Sequence, residues 1–356
     1  LRRKSFPAFP TERTTFTPVK HEREMKKILF TVGLWCLALC MQAAGHISRL
    51  RAELQDSRSD YVFVVAHRGD WRHAPENSVA AIKGAADMGV DMVEIDIQRT
   101  KDGGFVLMHD GSIDRTTEGK GNVADYTVEE LKRFRLRRAD GSLSDETIPT
   151  LEEALTACKG AVLVNIDKGG DYLSEIAPII RKTGTEDHVV LKGRGTVEEV
   201  ERQLSGYKDI LYMPVVDLDG EGAIPYVASF LSAFRPQAVE VIFKTDRFAK
   251  LSYLPVIAAS DCRVWINTLW ASLCGGHEDE KALSDPDAHW GWVLDRGATV
   301  IQTDRPEELI EYLKKKECYP QLIAEHEAIM QAIEGHDKAM ATQITGQHIN
   351  NQVDTV

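Results

Sequence analysis

The chain has 356 residues, 43% hydrophobic and 28% charged, a globular composition with length enough for one large domain of about 250 residues or more. Its formal net charge of −12 argues against a nucleic-acid partner, because an acidic protein repels phosphate backbones. A phosphate-bearing small molecule would have to be held by local cations or by a metal.

The first patterned segment reads as targeting. Met25-Lys26-Lys27 is followed by an apolar run over 28–40 and then by the small residues Ala43, Ala44 and Gly45. A basic start, a short greasy centre and small exit residues make a secretory signal, and the run is short for a membrane span. Residues 1–24 precede this start and read as an over-extended gene start. Residues 25–45 are a signal peptide or, uncleaved, an N-terminal anchor. The expected location is therefore periplasmic or secreted, or anchored, with membrane proximity through this segment alone. Beyond it the cysteines are Cys158, Cys262, Cys274 and Cys318, with no zinc spacing, and they read as mostly structural.

From about 58 to 316 short β-branched runs alternate with amphipathic stretches. The expected strands cover 62–66, 92–97, 105–109, 161–166, 189–191, 210–215, 239–243, 263–268 and 299–303, and helices are expected over 78–88, 151–158, 173–182, 197–204 and 306–314. Repeated strand–helix alternation implies a parallel sheet with helical crossovers, and eight such units close into a TIM (β/α)8 barrel. Nine strands are expected, so one is not a stave. Residues 110–150 form a polar excursion, a small insertion after the third strand. Residues 317–356 read as a polar C-terminal helix and tail. Oligomeric state is not legible.

Reactive residues gather at predicted strand ends. His67 and Arg68 follow the first strand, Glu94 and Asp96 lie in the second, His109 and Asp110 end the third, and Asp167 and Lys168 follow the fourth. In a (β/α) barrel these ends open into one mouth. Glu94 and Asp96 are two apart and face one side of their strand. Two inward carboxylates need a counter-charge, and oxygen-only ligands favour calcium or magnesium. The bland alternative is an alternating strand with solvated acids. Two imidazoles beside a phosphate can divide proton removal and proton delivery. Taken singly, each is more often a hydrogen-bonded structural histidine, and their joint placement at strand ends is the signal. Arg68 and Lys168 are cations suited to phosphate oxygens or to surface ion pairs.

The motifs carrying these residues resemble the glycerophosphodiester phosphodiesterase family. They are Ala66-His67-Arg68-Gly69, Pro75-Glu76-Asn77-Ser78, Val93-Glu94-Ile95-Asp96-Ile97, Thr100-Lys101-Asp102-Gly103 and Met108-His109-Asp110. Ile113-Asp114-Arg115-Thr116-Thr117 with Gly119 and Gly121, and Ile148-Pro149-Thr150-Leu151-Glu152-Glu153, follow. Later, Val264-Trp265-Ile266-Asn267-Thr268 and Ile301-Gln302-Thr303-Asp304-Arg305-Pro306 also fit, while 185–260 is looser. The resemblance implies a TIM barrel that hydrolyses glycerophosphodiesters to glycerol 3-phosphate and an alcohol with one divalent metal ion, Ca2+ or Mg2+. It implies His67 and His109 as the acid–base pair, Glu94, Asp96 and Asp167 as metal ligands, and Arg68 and Lys168 as phosphate contacts. Glu76 and Trp265 would belong to the substrate pocket. The family's fourth strand carries a glutamate, one spacer and a lysine. Here Asn165-Ile166-Asp167-Lys168 has a shorter acid and no spacer, so both side chains can face inward only if the strand ends there. A lyase that releases a cyclic phosphate from lysophospholipid or phosphoinositide, and a silent exported binding protein, are the competing readings.

Overall fold

The computed structural model describes residues 45–316 except 248; the leader-like segment and the C-terminal tail lie outside the described residues. The strands are β1 (Phe63–His67), β2 (Met92–Arg99), β3 (Phe105–Leu107), β4 (Arg135–Arg137), β5 (Leu143–Thr147), β6 (Leu163–Asp167), β7 (Val189–Gly193), β8 (Leu211–Asp217), β9 (Ala238–Ile242), β10 (Arg263–Asn267) and β11 (Ala298–Thr303). Eight of them run parallel in the order β1-β11-β10-β9-β8-β7-β6-β2, and pairing of β1 with β2 closes the barrel. The expected TIM barrel is present.

The ninth expected strand is β3. It pairs antiparallel with β2, Ile97 opposite Leu107, and stands outside the barrel. The excursion after it carries the β4–β5 hairpin and encloses a small core of its own, including Met108, Ile113, Leu131 and Ile148. Sequence alternation could not distinguish β3 from a stave, because period two is common to parallel and antiparallel strands.

Helices α1 (Val79–Met88), α2 (Leu151–Cys158), α3 (Leu173–Thr183) and α4 (Val197–Leu204) form crossovers on the outside. Local chemistry sets their starts. Ser78 caps α1 through the Ala81 amide, and Thr150 and Thr196 form capping boxes with Glu153 and Glu199. The outward strand residues Val64, Val93, Ile95, Val164 and Ile166 bury against the helices.

The inward residues divide by depth. At the amino-terminal end Phe63, Val65, Met92, Leu163, Val190, Met213, Trp265 and Val300 make an apolar plug, with Ile47, Leu50 and Leu54 from the helical stretch 47–55 packed on it. Arg263 fixes this stretch. Its guanidinium is fully buried and donates to the carbonyls of Leu54 (3.2 Å), Tyr61 (2.8 Å), Glu53 (2.7 Å) and Asp56 (2.8 Å). One layer higher the inward positions turn polar: Glu94, Asn165, Lys192, Glu240, Asn267 and Gln302. The apolar floor thus supports a polar layer beneath the mouth. Among the described residues Cys158, Cys262 and Cys274 are free and buried, as a structural role requires.

Candidate active site

The site is built at the carboxyl-terminal end of β1. His67 is its last residue, and the chain then turns sharply through Arg68 (φ 57°) and Gly69 (φ 74°). A Cβ on Gly69 would lie 2.7 Å from the Ala81 carbonyl carbon, so the turn against α1 requires glycine. Arg68, Asn77 and Lys168 all hold left-handed backbone, which costs a side-chain-bearing residue energy and concentrates at functional sites.

On β2, Glu94 and Asp96 point inward and are 2% and 1% exposed. Asp167 ends β6 opposite Asp96. Ligand oxygens of Glu94, Asp96 and Asp167 all lie within 4.8 Å of one another, the one such cluster among the described residues. Asn77 holds Asp96 from both sides, its Nδ2 donating to Oδ2 (2.9 Å) and its Oδ1 accepting from the Asp96 amide (3.0 Å). Burial, with Asp96 beside it, pushes the Glu94 carboxyl well above its ordinary range despite Lys192. Burial also opposes ionisation of Asp167, but Lys192 and Lys168 hold its carboxyl below the usual value. Hard oxygen donors converging in a buried, under-compensated cluster fit a divalent cation.

Lys168 falls just past the end of β6, which resolves the missing spacer: Asp167 faces inward as the last strand residue, and the left-handed turn at Lys168 redirects the next side chain. Lys168 Nζ donates to the His109 carbonyl (2.8 Å) and lies 3.9 Å from Asp96 Oδ1.

The two histidines are oriented alike. His67 Nδ1 donates to Asp304 Oδ1 (2.8 Å), and His109 Nδ1 donates to Asp110 Oδ1 (2.7 Å). A carboxylate on Nδ1 fixes the neutral tautomer with its lone pair on Nε2. Asp304 is itself held by Trp71 Nε1 (2.6 Å), and its amide donates to Asp279 Oδ2 (2.7 Å). Hydrogen bonds from Arg115 and then from His109 bring the Asp110 carboxyl down to about 2. Arg115 also ties the halves of the site together. It donates to Asp110 (2.7 Å) and to Glu76 (2.6 Å), and Glu76 accepts from Arg68 Nη1 (3.0 Å). Arg68 Nε is buried without a hydrogen-bond acceptor, 3.4 Å from Asp96 Oδ2, as a donor reserved for an anion would be.

His67, Arg68, Glu76, Glu94, Asp96, His109, Asp167 and Lys168 therefore belong to one connected mouth. Trp265 does not. It is 0% exposed in the apolar plug, its Nε1 bonded to Asn267 Oδ1 (2.7 Å), two residues and one layer below the rim. The pocket wall expected of it is supplied by Trp270, 45% exposed and edge-on to His67 with ring centroids 6.1 Å apart.

Sequence reasoning missed Lys192, Glu240, Asp304 and Asn77. Lys192 Nζ lies 3.5 Å from Asp167, 3.5 Å from Glu240 and 3.7 Å from Glu94. Burial opposes its charge, but Glu240, Glu94 and Asp167 raise its proton affinity above the ordinary lysine value. The available signal was parity: Lys192 is two residues past inward Val190, and Glu240 is a lone acid in the apolar run 238–242.

The class is thus a closed (β/α) barrel whose mouth joins a metal-type acid cluster to two carboxylate-oriented imidazoles. Comparison with known proteins narrows it. The glycerophosphoryl diester phosphodiesterase family profile matches residues 67–178, and a family of unknown function matches 212–313. The chain is 40% identical over 136 residues to a glycerophosphodiester phosphodiesterase of Caldanaerobacter subterraneus, covering 36% of this chain and 56% of that one. It is 47% identical over 102 residues to glycerophosphodiester phosphodiesterase 1 of Mus musculus, covering 28% and 31%. The chain thus spans about half the length of the first relative and a third of the second. Among solved structures, a glycerophosphoryl diester phosphodiesterase of Parabacteroides distasonis shares the fold with TM-score 0.60 at 23% identity, covering 76% of this chain and 92% of its own. A phosphodiesterase of Oleispira antarctica, in complex with the product sn-glycerol-3-phosphate, has TM-score 0.55 at 21% identity, covering 72% and 99%. The likeness to glycerophosphodiester phosphodiesterases is thus concentrated in residues 67–178, the segment that holds both histidines and the three clustered carboxylates.

Proposed function

We propose that this protein is a metal-dependent phosphoric diester hydrolase that cleaves glycerophosphodiesters to glycerol 3-phosphate and an alcohol. One observation carries the reading: two imidazoles, each locked by a carboxylate on Nδ1, belong to the same mouth as a buried three-carboxylate cluster. The product named for the Oleispira relative supports the substrate class.

Glu94, Asp96 and Asp167 would hold one divalent cation, calcium or magnesium, which supplies Lewis-acid polarisation of a phosphate oxygen. Arg68, with its unpartnered Nε, holds a second phosphate oxygen, and Lys168 adds positive charge beside Asp96. Glu76 keeps Arg68 in place. Of His67 and His109, one is neutral and takes the proton of the attacking oxygen at Nε2, while the other starts as imidazolium and gives its Nε2 proton to the departing alcohol. Asp304 and Asp110 stabilise the imidazolium formed in turn. The attacking oxygen is water or the glycerol 2-hydroxyl; the second expels the alcohol to leave a cyclic phosphate that water then opens to glycerol 3-phosphate, and phosphorus NMR separates the two by that cyclic species. The leader-like residues 25–45 support an exported enzyme whose catalytic domain spans 58–316.

The test is hydrolysis of a panel of glycerophospho-alcohols. His67→Ala and His109→Ala should each lower kcat by about a hundredfold or more. Chelation should abolish turnover, and calcium or magnesium should restore it. Turnover that survives both chelation and loss of His67 would end this assignment.

A further inference from the structure

Beside His67 lies a cavity of about 400 Å³. Its inner wall is His67, Arg68, Glu76 and Asp304. Its outer wall comes from the β4–β5 hairpin, with Arg137, Arg138 and Gly141, and faces the indoles of Trp71 and Trp270. The inner half belongs to the phosphate. The outer half has had no role so far.

Charge is unbalanced between the two halves. Both carboxylates lining the cavity are already engaged. Glu76 accepts from Arg68 and Arg115, and Asp304 from His67 and Trp71. Arg137 and Arg138 form no ion pair among the described residues. Arg137 donates to the carbonyls of Thr117 (2.9 Å) and Gly141 (3.0 Å), and Arg138 reaches only the Leu143 carbonyl at 3.4 Å. The nearby acids are otherwise occupied: Glu118 pairs with Arg135, and Asp140 accepts from the Ser142 amide. Glu118 and Asp140 act on Arg137 and Arg138 only at a distance, and neither guanidinium donates to a carboxylate, so both keep N–H groups available to the outer cavity.

The aromatic residues do not reverse this. A quaternary ammonium is recognised by open aromatic faces. One face of Trp71 already carries the Arg72 guanidinium, 4.5 Å from the ring centroid, and Trp270 sets an edge against His67. A cationic substituent would meet four arginines, Arg68, Arg115, Arg137 and Arg138, and the exposed indole of Trp270. An anionic substituent would meet two fork-shaped donors with free N–H groups.

We propose that the outer cavity is a subsite for the alcohol substituent of the diester and selects a substituent bearing its own phosphate or carboxylate over a neutral or quaternary-ammonium one. This rests on the diesterase reading and specifies its substrate class. Arg138 is the main discriminating contact, since its guanidinium is the less committed, and Arg137 sets the hairpin around it.

Three diesters test it on the full chain with saturating magnesium or calcium: glycerophosphoglycerol, the same molecule phosphorylated on its terminal hydroxyl, and glycerophosphocholine. The terminally phosphorylated diester should exceed glycerophosphoglycerol in kcat/KM by about tenfold, with glycerophosphocholine lowest. Arg138→Ala should bring the three values together, and Arg138→Glu should place the choline ester above the phosphorylated one. Arg133→Glu changes the same charge on the same insertion, but Arg133 pairs with Glu129 away from the cavity, so it should leave the order unchanged. Equal kcat/KM for all three in the unmodified protein, or an unchanged order in Arg138→Glu, overturns the subsite. Absence of any turnover instead sinks the diesterase reading. Calorimetric affinities of His109→Ala for the three diesters then decide the subsite separately: equal Kd values overturn it, and a tenfold preference for the anionic diester upholds it.

Discussion

Replacement of Lys192 by methionine isolates the electrostatics of the barrel centre. Methionine keeps much of the side-chain volume and removes a charge that lies 3.5–3.7 Å from Glu94, Asp167 and Glu240. Four inward carboxylates, Glu94, Asp96, Asp167 and Glu240, would then share only Arg68 and Lys168 at the rim. Removing one partner of a buried ionic cluster costs about 3–5 kcal/mol. For a domain of this size that is a fall of about 10 °C in Tm. The assay is thermal unfolding by circular dichroism in chelator, repeated in excess calcium or magnesium. The loss should be largest in chelator and mostly recovered with metal, because a bound divalent cation compensates the same oxygens and stabilises by mass action. Metal affinity should rise, since less positive charge opposes the ion. Lys192→Arg should retain most of the metal-free stability, and a Lys192→Met, Glu240→Gln double variant should recover part of the loss. Equal destabilisation with and without metal, or a loss of under about 1 kcal/mol, would refute the counter-charge reasoning.

Asp304→Ala should lower kcat by about a hundredfold with KM nearly unchanged, because His67 loses the acceptor that fixes its tautomer; steady-state kinetics decide this. Carbon-13 NMR should show the Asp110 carboxyl titrating at about 2 and Asp279 at about 6. The first is depressed by Arg115, so its stabilising contribution holds above the ordinary aspartate pKa and is lost as pH falls through about 2. The second is raised by burial, so its contribution is greatest below the ordinary value and is lost as pH rises through about 6. In Arg115→Ala the Asp110 titration should move back toward the ordinary value. Arg263→Met should cost about 3 kcal/mol or more in urea unfolding, since four backbone carbonyls lose their donor and the stretch 47–55 loses its tie to the barrel floor.

Much of the site was legible because it obeys local rules. Strand–helix alternation gave the staves, spacing of two put Glu94 and Asp96 on one face, and Gly69 marked the turn after His67. Three features depended on the closed barrel. Only strand pairing shows that β3 runs antiparallel outside it and brings His109 in from the side. Parity says that Trp265 faces inward but not at which depth, since depth follows from the tilt and stagger imposed by closure; that stagger places it in the floor and leaves Trp270 at the rim. Lys192 and Asp304 come from a strand and a strand end 98 and 237 residues from their contacts Glu94 and His67, and Glu240 meets Lys192 across 48 residues. Sequence fixes which side of a strand a residue faces because that is a property of two neighbouring peptides. Which charges meet at the centre is a property of eight strands closing together.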